Sequence, residues 1–103
     1  MRLPPRWPET RAKARIFKAM GHPTRLFIVE LLARGPRCVC EIVDRVPGRQ
    51  ATISRHLAVL VGAGILRRHR KGVRMIYDLA LPCLLEALPC VVKALRSGRC
   101  GTE

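Results

Sequence analysis

Apolar positions recur with a helical period through most of this chain. Ala12, Ile16 and Met20 are spaced by four residues, which lines them along one helix face. Thr10 stands ahead of that stripe as an N-cap, and Gly21 follows it as a stop. His22-Pro23 predicts a second helix, because proline in a first turn forfeits an N–H that has no helical partner. Leu26 to Ala33 is apolar nearly all round, a pattern that predicts burial on every side. Gly35-Pro36 ends that helix. A short helix follows over Val39–Val46, then a turn at Pro47-Gly48, then a helix from Gln50 to Val61. In the last of these, Ile53, Leu57, Leu60 and Val61 fall at i, i+4, i+7 and i+8 and form a buried stripe. Beyond Gly62-Ala63-Gly64, Ile65–Arg70 and Val73–Leu79 read as two strands joined by a tight turn at Lys71-Gly72. A final helix is predicted from Pro82, with Leu81, Leu84, Leu85, Leu88, Val91 and Leu95 on one face. Pro89 inside it is expected to kink or interrupt it.

The fold class is therefore mainly α with a small β-hairpin. Residues 1–9 are expected to be a flexible Pro-rich arm, 10–96 one domain, and 97–103 a polar, flexible tail. A chain of 103 residues supports one small core, which a partner subunit would enlarge. Its 49% apolar content excludes a disordered tail. No apolar run reaches the ~18–20 residues of a membrane span. The first residues lack the apolar stretch of a signal peptide, so a cytoplasmic location is expected.

Charge narrows the choice of partner. Twenty Lys+Arg against seven Asp+Glu give +13, a balance that attracts phosphate backbones. Anionic membranes and RNA share that attraction, so position decides. A buried helix, a short helix, a Gly turn and a polar-tipped helix form a helix-turn-helix pattern. The polar tip carries Arg49, Gln50, Thr52, Ser54, Arg55 and His56. Arg pairs with guanine and Gln with adenine, while Thr and Ser suit phosphates or base edges. The hairpin adds Arg67, Arg68, His69, Arg70, Lys71 and Arg74, a cationic ribbon fit for the backbone or the minor groove. The bland alternative is a solvated edge hairpin whose charges prevent aggregation. No nucleophile–base pair, phosphate loop or carboxylate cluster points to an enzyme.

Taken together, Ala19–Leu26, Gln50–Leu57, Leu60–Leu66 and the Arg70-Lys71-Gly72 turn resemble the ArsR/SmtB family of metalloregulatory repressors. The resemblance covers about residues 11–95. It implies a winged helix-turn-helix homodimer, joined through its first and last helices, that holds an operator until an inducer releases it. The Leu81–Leu95 stripe independently suits a partner chain. A two-fold dimer would present paired recognition helices to a roughly palindromic double-stranded site.

Five cysteines with no secretory signal are expected to stay reduced. Cys38-Val39-Cys40 resembles the arsenic/antimony-sensing motif of the family's founding branch, whose third Cys is replaced here by Val43. The resemblance thus implies trivalent arsenic or antimony as inducer, held by the Cys38 and Cys40 thiolates. Thiolates do bind soft metals and trivalent arsenic, and a helix N-terminus beside Arg37 favours the thiolate form. Residues i and i+2 face different sides of a regular helix, so gripping one ion should require an irregular first turn. Ion binding would then unwind the start of this helix and shift its neighbour. Cys83, Cys90 and Cys100 are the candidates for a third sulfur. Cys83 and Cys90, about 10 Å apart along one helix, are too far apart to share an ion.

The last helix lacks the His of an Asp/His zinc site, and no N-terminal Cys supports a four-thiolate site. Two alternatives stay open beside the metalloid. One is a repressor of the same fold that responds to thiol oxidation, persulfide or another metal. For it, Cys38 and Cys40 look too close to bridge comfortably, which favours a link to a distant Cys. The other is a basic RNA-associated protein.

Overall fold

The computed structural model describes residues 2 and 4–97. Helix α1 spans Trp7–Met20, α2 Pro23–Leu32, α3 Val39–Arg45, α4 Gln50–Gly62 and α5 Leu88–Ser97. Strand β1 is Arg37–Cys38, β2 Leu66–Lys71 and β3 Arg74–Leu79, and a 3-10 segment covers Pro82–Ala87. Among the described residues no helix is long and apolar enough to cross a membrane.

α1 begins before the expected Thr10 cap, so residues 7–9 belong to the helix and not to an arm. Pro8 sits in the first turn, where no donor is lost, and Glu9 places a carboxylate near the positive end of the helix. The Thr10 N–H already bonds the Arg6 carbonyl at 2.9 Å. Gly21 ends the helix as expected. α2 is capped by His22, whose Nδ1 accepts from the Thr24 N–H at 3.1 Å. Its burial is one-sided: Ile28, Val29, Leu31 and Leu32 are buried, while Phe27 and Glu30 are exposed. The helix packs on α1, α4 and β3, and those neighbours leave one side uncovered.

Ile28 and Val29 of α2, Ile42 of α3, and Ile53, Leu57 and Leu60 of α4 are fully buried together with Ile65. Complete burial of each such side chain contributes about 1.5–3 kcal/mol. α4 is therefore anchored along one face by three of these positions, with Val61 half-buried beside them. It ends in a Schellman motif: Gly64 N–H bonds the Val61 carbonyl and Ile65 N–H the Leu60 carbonyl, both at 3.0 Å. The motif needs a left-handed residue, supplied by Gly64 at φ 82°. Ile65 thereby enters the core directly and β2 departs from a fixed point.

The sheet is antiparallel in the order β1-β3-β2. β2 and β3 pair from Leu66↔Leu79 to Lys71↔Arg74. The turn is Gly72-Val73, one residue later than expected. Gly72 has φ 65° and Val73 does not share that sign, the pattern of a type II′ hairpin with Gly first. β1 is an addition: Arg37 pairs with Tyr77 and Cys38 with Ile76. Two residues are too few for a period to reveal.

The expected C-terminal helix is interrupted ahead of Pro89, which has no N–H to donate four residues back. The 3-10 segment turns Leu84 and Leu85 toward the core. α5 has no buried residue, and Val91, Val92 and Leu95 are exposed. Ser97 ends α5; the remaining tail, with Cys100, lies outside the described residues.

Candidate nucleic-acid interface and thiol pair

Because Ile53 and Leu57 face the core, the helical period turns Thr52, Ser54 and Arg55 to solvent, while Gln50, on the inward side of the period, is exposed because it is the first residue of the helix. Arg49 precedes them as the extended, exposed N-cap residue. The structure thus brings these five together on the first turns of α4. Arg68, Arg70, Lys71 and Arg74 are exposed on the hairpin that follows. Arg67 differs: its Nε donates to Asp78 Oδ1 at 3.0 Å, across a directly opposed pair of residues. Among the described residues the remaining ion pairs are Glu9–Lys13 and Arg37–Glu41, so the other cations of α4 and the hairpin have no carboxylate partner there. Such a surface offers hydrogen-bond donors beside uncompensated charge, the combination that base edges and phosphates require.

His56 stands apart from its neighbours. It is half-buried, and its Nδ1 accepts from the Arg25 Nε at 3.1 Å. Its ring lies 4.6 Å from that of His22, tilted by 48°. Burial holds its pKa below the ordinary 6.5, reinforced by His22, Arg25 and Arg55. Sequence reasoning groups His56 with the groove-facing residues and overlooks Arg25. The hydrogen bond joins positions 31 residues apart, which no local period reveals.

Cys38 and Cys40 are joined by a disulfide, with Cα atoms 5.3 Å apart. The bond departs from the expectation that the cysteines stay reduced, and the convergence of the sulfurs meets the irregular first turn that gripping one ion is expected to require. Cys38 is the N-cap, with extended backbone at φ −75°, ψ 157°, so it lies outside the regular helix. The two sulfurs therefore meet without any unwinding of α3. Cys38 is buried and Cys40 exposed. Glu41 accepts from the Cys38 N–H at 3.3 Å and pairs with Arg37 at 3.4 Å, which steadies the start of the helix. Cys83 and Cys90 are both exposed and lie on separate segments, the 3-10 turn and α5, instead of on one helix. Among the described residues no group of three or more His, Cys, Asp or Glu is arranged to hold a metal. What the geometry supplies is two sulfurs at the start of a helix.

An antiparallel wing after a helix-turn-helix defines the class: a winged helix-turn-helix DNA-binding regulator, not an enzyme. Residues 22–68 match the family described as bacterial regulatory protein, arsR family. The chain is 49% identical over 65 residues to an uncharacterized HTH-type transcriptional regulator of Methanocaldococcus jannaschii, covering 62% of this chain and 73% of that one. It is 34% identical over 89 residues to the arsenical resistance operon repressor of Bacillus subtilis, covering 82% and 85%. Among solved structures, the homodimeric winged helix-turn-helix DNA-binding domain of a possible ArsR-family regulator from Mycobacterium bovis superposes with a TM-score of 0.81. It is 26% identical and covers 98% of this chain and 97% of that one. The chain belongs to the ArsR family of transcriptional regulators.

Proposed function

We propose that this protein is a homodimeric repressor that binds operator DNA and is released when trivalent arsenic or antimony binds the Cys38 and Cys40 thiolates. The observation that carries this reading is the placement of the two sulfurs. They sit where β1 ends and α3 begins, and α3 leads directly into the recognition helix α4. Cys38 is also paired through β1 to Ile76 of β3, the inner strand of the wing. An ion held by these two thiolates would thus pull on both DNA-facing elements. Arg49, Gln50, Thr52, Ser54 and Arg55 serve as the base- and phosphate-reading set, and Arg68, Arg70, Lys71 and Arg74 as wing contacts. Arg67 joins the wing through its Asp78 pair, and His56 acts from the inner side of α4. The Bacillus subtilis relative, named for arsenical resistance, supports the choice of ion.

Dimerisation is supported by an apolar surface that a single chain leaves open. Phe17 is 71% exposed and Leu95 80%. A groove of about 460 Å³ between α1 and α5 is lined by Phe17, Met20, Leu26, Leu84, Leu88 and Val91. Exposed apolar surface of this kind favours association.

The test is a titration of the reduced protein–DNA complex with arsenite, followed by fluorescence anisotropy and repeated with zinc and cadmium. Selective release by arsenite supports the metalloid reading; indifference to all three removes it. The bonded sulfurs favour one second reading, a thiol switch. There two thiols lose two electrons and two protons to a peroxide, which is reduced to water or an alcohol. Release by peroxide, reversed by a dithiol, with no response to arsenite, selects it. Equal affinity for duplex RNA and duplex DNA at moderate salt would instead favour the RNA-associated alternative.

A further inference from the structure

The buried stripe of Ile53, Leu57 and Leu60 fixes how deep α4 sits and which face turns inward, and apolar contact, being non-directional, leaves the fine setting of its rotation to polar contacts at the edge of that stripe. A hydrogen bond is directional. One such bond reaches α4 from the first turn of α2, where the Arg25 Nε donates to Nδ1 of His56 at 3.1 Å. The His22 ring closes the other side at 4.6 Å, itself oriented by the Thr24 N–H bond to its Nδ1. His56 lies between exposed Arg55 and buried Leu57, at the boundary between the reading face and the core. Arginine has no acceptor and stays charged, so the bond exists only while the His56 imidazole is neutral.

We propose that Arg25 is a positioning residue for the recognition helix: through neutral His56, steadied by His22, it sets the rotation at which α4 presents Arg49–Arg55 to DNA. This inference rests on the DNA-binding reading above. A proton on His56 replaces the acceptor with a second donor and turns the contact repulsive. The surrounding groups reinforce that outcome. Arg25 of α2 and His22, its cap, face His56, and Arg55 adjoins it on α4. Arg15 and Lys18 of α1 share a groove with Arg25 and Val59 that no carboxylate lines. Burial first, and then His22, Arg25 and Arg55, keep the folded-state pKa of His56 below 6.5. The clamp is thus complete above that value and is lost as pH falls through the lowered one. Acidification also adds positive charge, which strengthens non-specific DNA binding. Specific and non-specific affinity should therefore move apart.

The experiment selects a preferred duplex from a random pool at about pH 7.5, then measures its affinity relative to an unrelated duplex down to about pH 5.5. Every protein carries His69→Gln, which removes the imidazole of the wing. With Arg25 and His56 intact, the ratio should fall about tenfold across this range, equivalent to about 1.4 kcal/mol. Arg25→Met should lower the ratio by a similar factor at the upper pH and flatten its pH dependence, and Arg25→Lys, which keeps a donor, should restore part of it. His56→Asn keeps an acceptor near the Nδ1 position and takes up no proton, so its profile should be flat. A flat or rising ratio with Arg25 and His56 intact, or a His56→Asn profile that still falls, overturns the proposal while leaving DNA binding in place. Failure of any sequence to be enriched sinks the DNA-binding reading, and this proposal with it.

Discussion

Arg55 and Ile53 are two positions apart on α4 and meet opposite environments. Ile53 is fully buried, whereas Arg55 is exposed and has no carboxylate partner among the described residues. Ile53→Ala should destabilise the fold by about 2–5 kcal/mol, read from denaturant unfolding, because it removes transfer energy and leaves a cavity. Arg55→Ala should leave stability nearly unchanged but weaken specific DNA binding by about 1–3 kcal/mol in anisotropy titrations. An unchanged affinity would remove Arg55 from the DNA-reading residues. The division between these two side chains was legible in the sequence, since it follows from the helical period alone. The surroundings of His56 were not, because Arg25 and His22 come from a distant stretch of chain. Cys38 and Cys40 fall between these cases: their spacing was visible, but their convergence depends on Cys38 adopting an extended cap. Substituting both by Ser should preserve DNA binding and abolish release by arsenite. A double variant still released by arsenite would overturn the sensor assignment.

The wing shows how a whole element acts through charge. Arg68, Arg70, Lys71 and Arg74 cluster around a turn that fixes their register. For every phosphate that a cation no longer neutralises, the slope of log affinity against log salt should become shallower by about 0.9. Replacing Arg68, Arg70 and Lys71 by Gln should therefore flatten the slope for specific and unrelated duplexes alike. An unaltered slope would mean that the hairpin points away from DNA. The hairpin itself was readable from Gly72 and the flanking apolar positions. β1 was not, because its pairing depends on β3 arriving beside it. The break ahead of Pro89 was legible in the missing N–H. Its consequence was not: the 3-10 turn carries Leu84 and Leu85 inward, while α5 stays on the surface.

The assembled chain leaves apolar side chains of α1 and α5 uncovered, and a two-fold partner would bury both sets at once. Phe17→Glu combined with Leu95→Glu should shift sedimentation from dimer to monomer. Operator affinity should drop with it, since two linked recognition helices bind far more tightly than one. A double variant that remains dimeric would place the interface elsewhere.

Local physics carried much of this molecule. Periodicity assigned the helix faces, Gly and Pro punctuated the elements, and the run of cations after Gly64 marked the wing. Those properties depend on neighbours three or four positions away, so a linear reading captures them. Pairings closed over long separations required the fold. Packing brought Arg25 to His56, set Cys38 against β3, and separated the inward Leu84 and Leu85 from exposed Leu95. Each of these depends on where a distant segment comes to rest, a position set by the summed burial of the core and not by any residue's immediate neighbours.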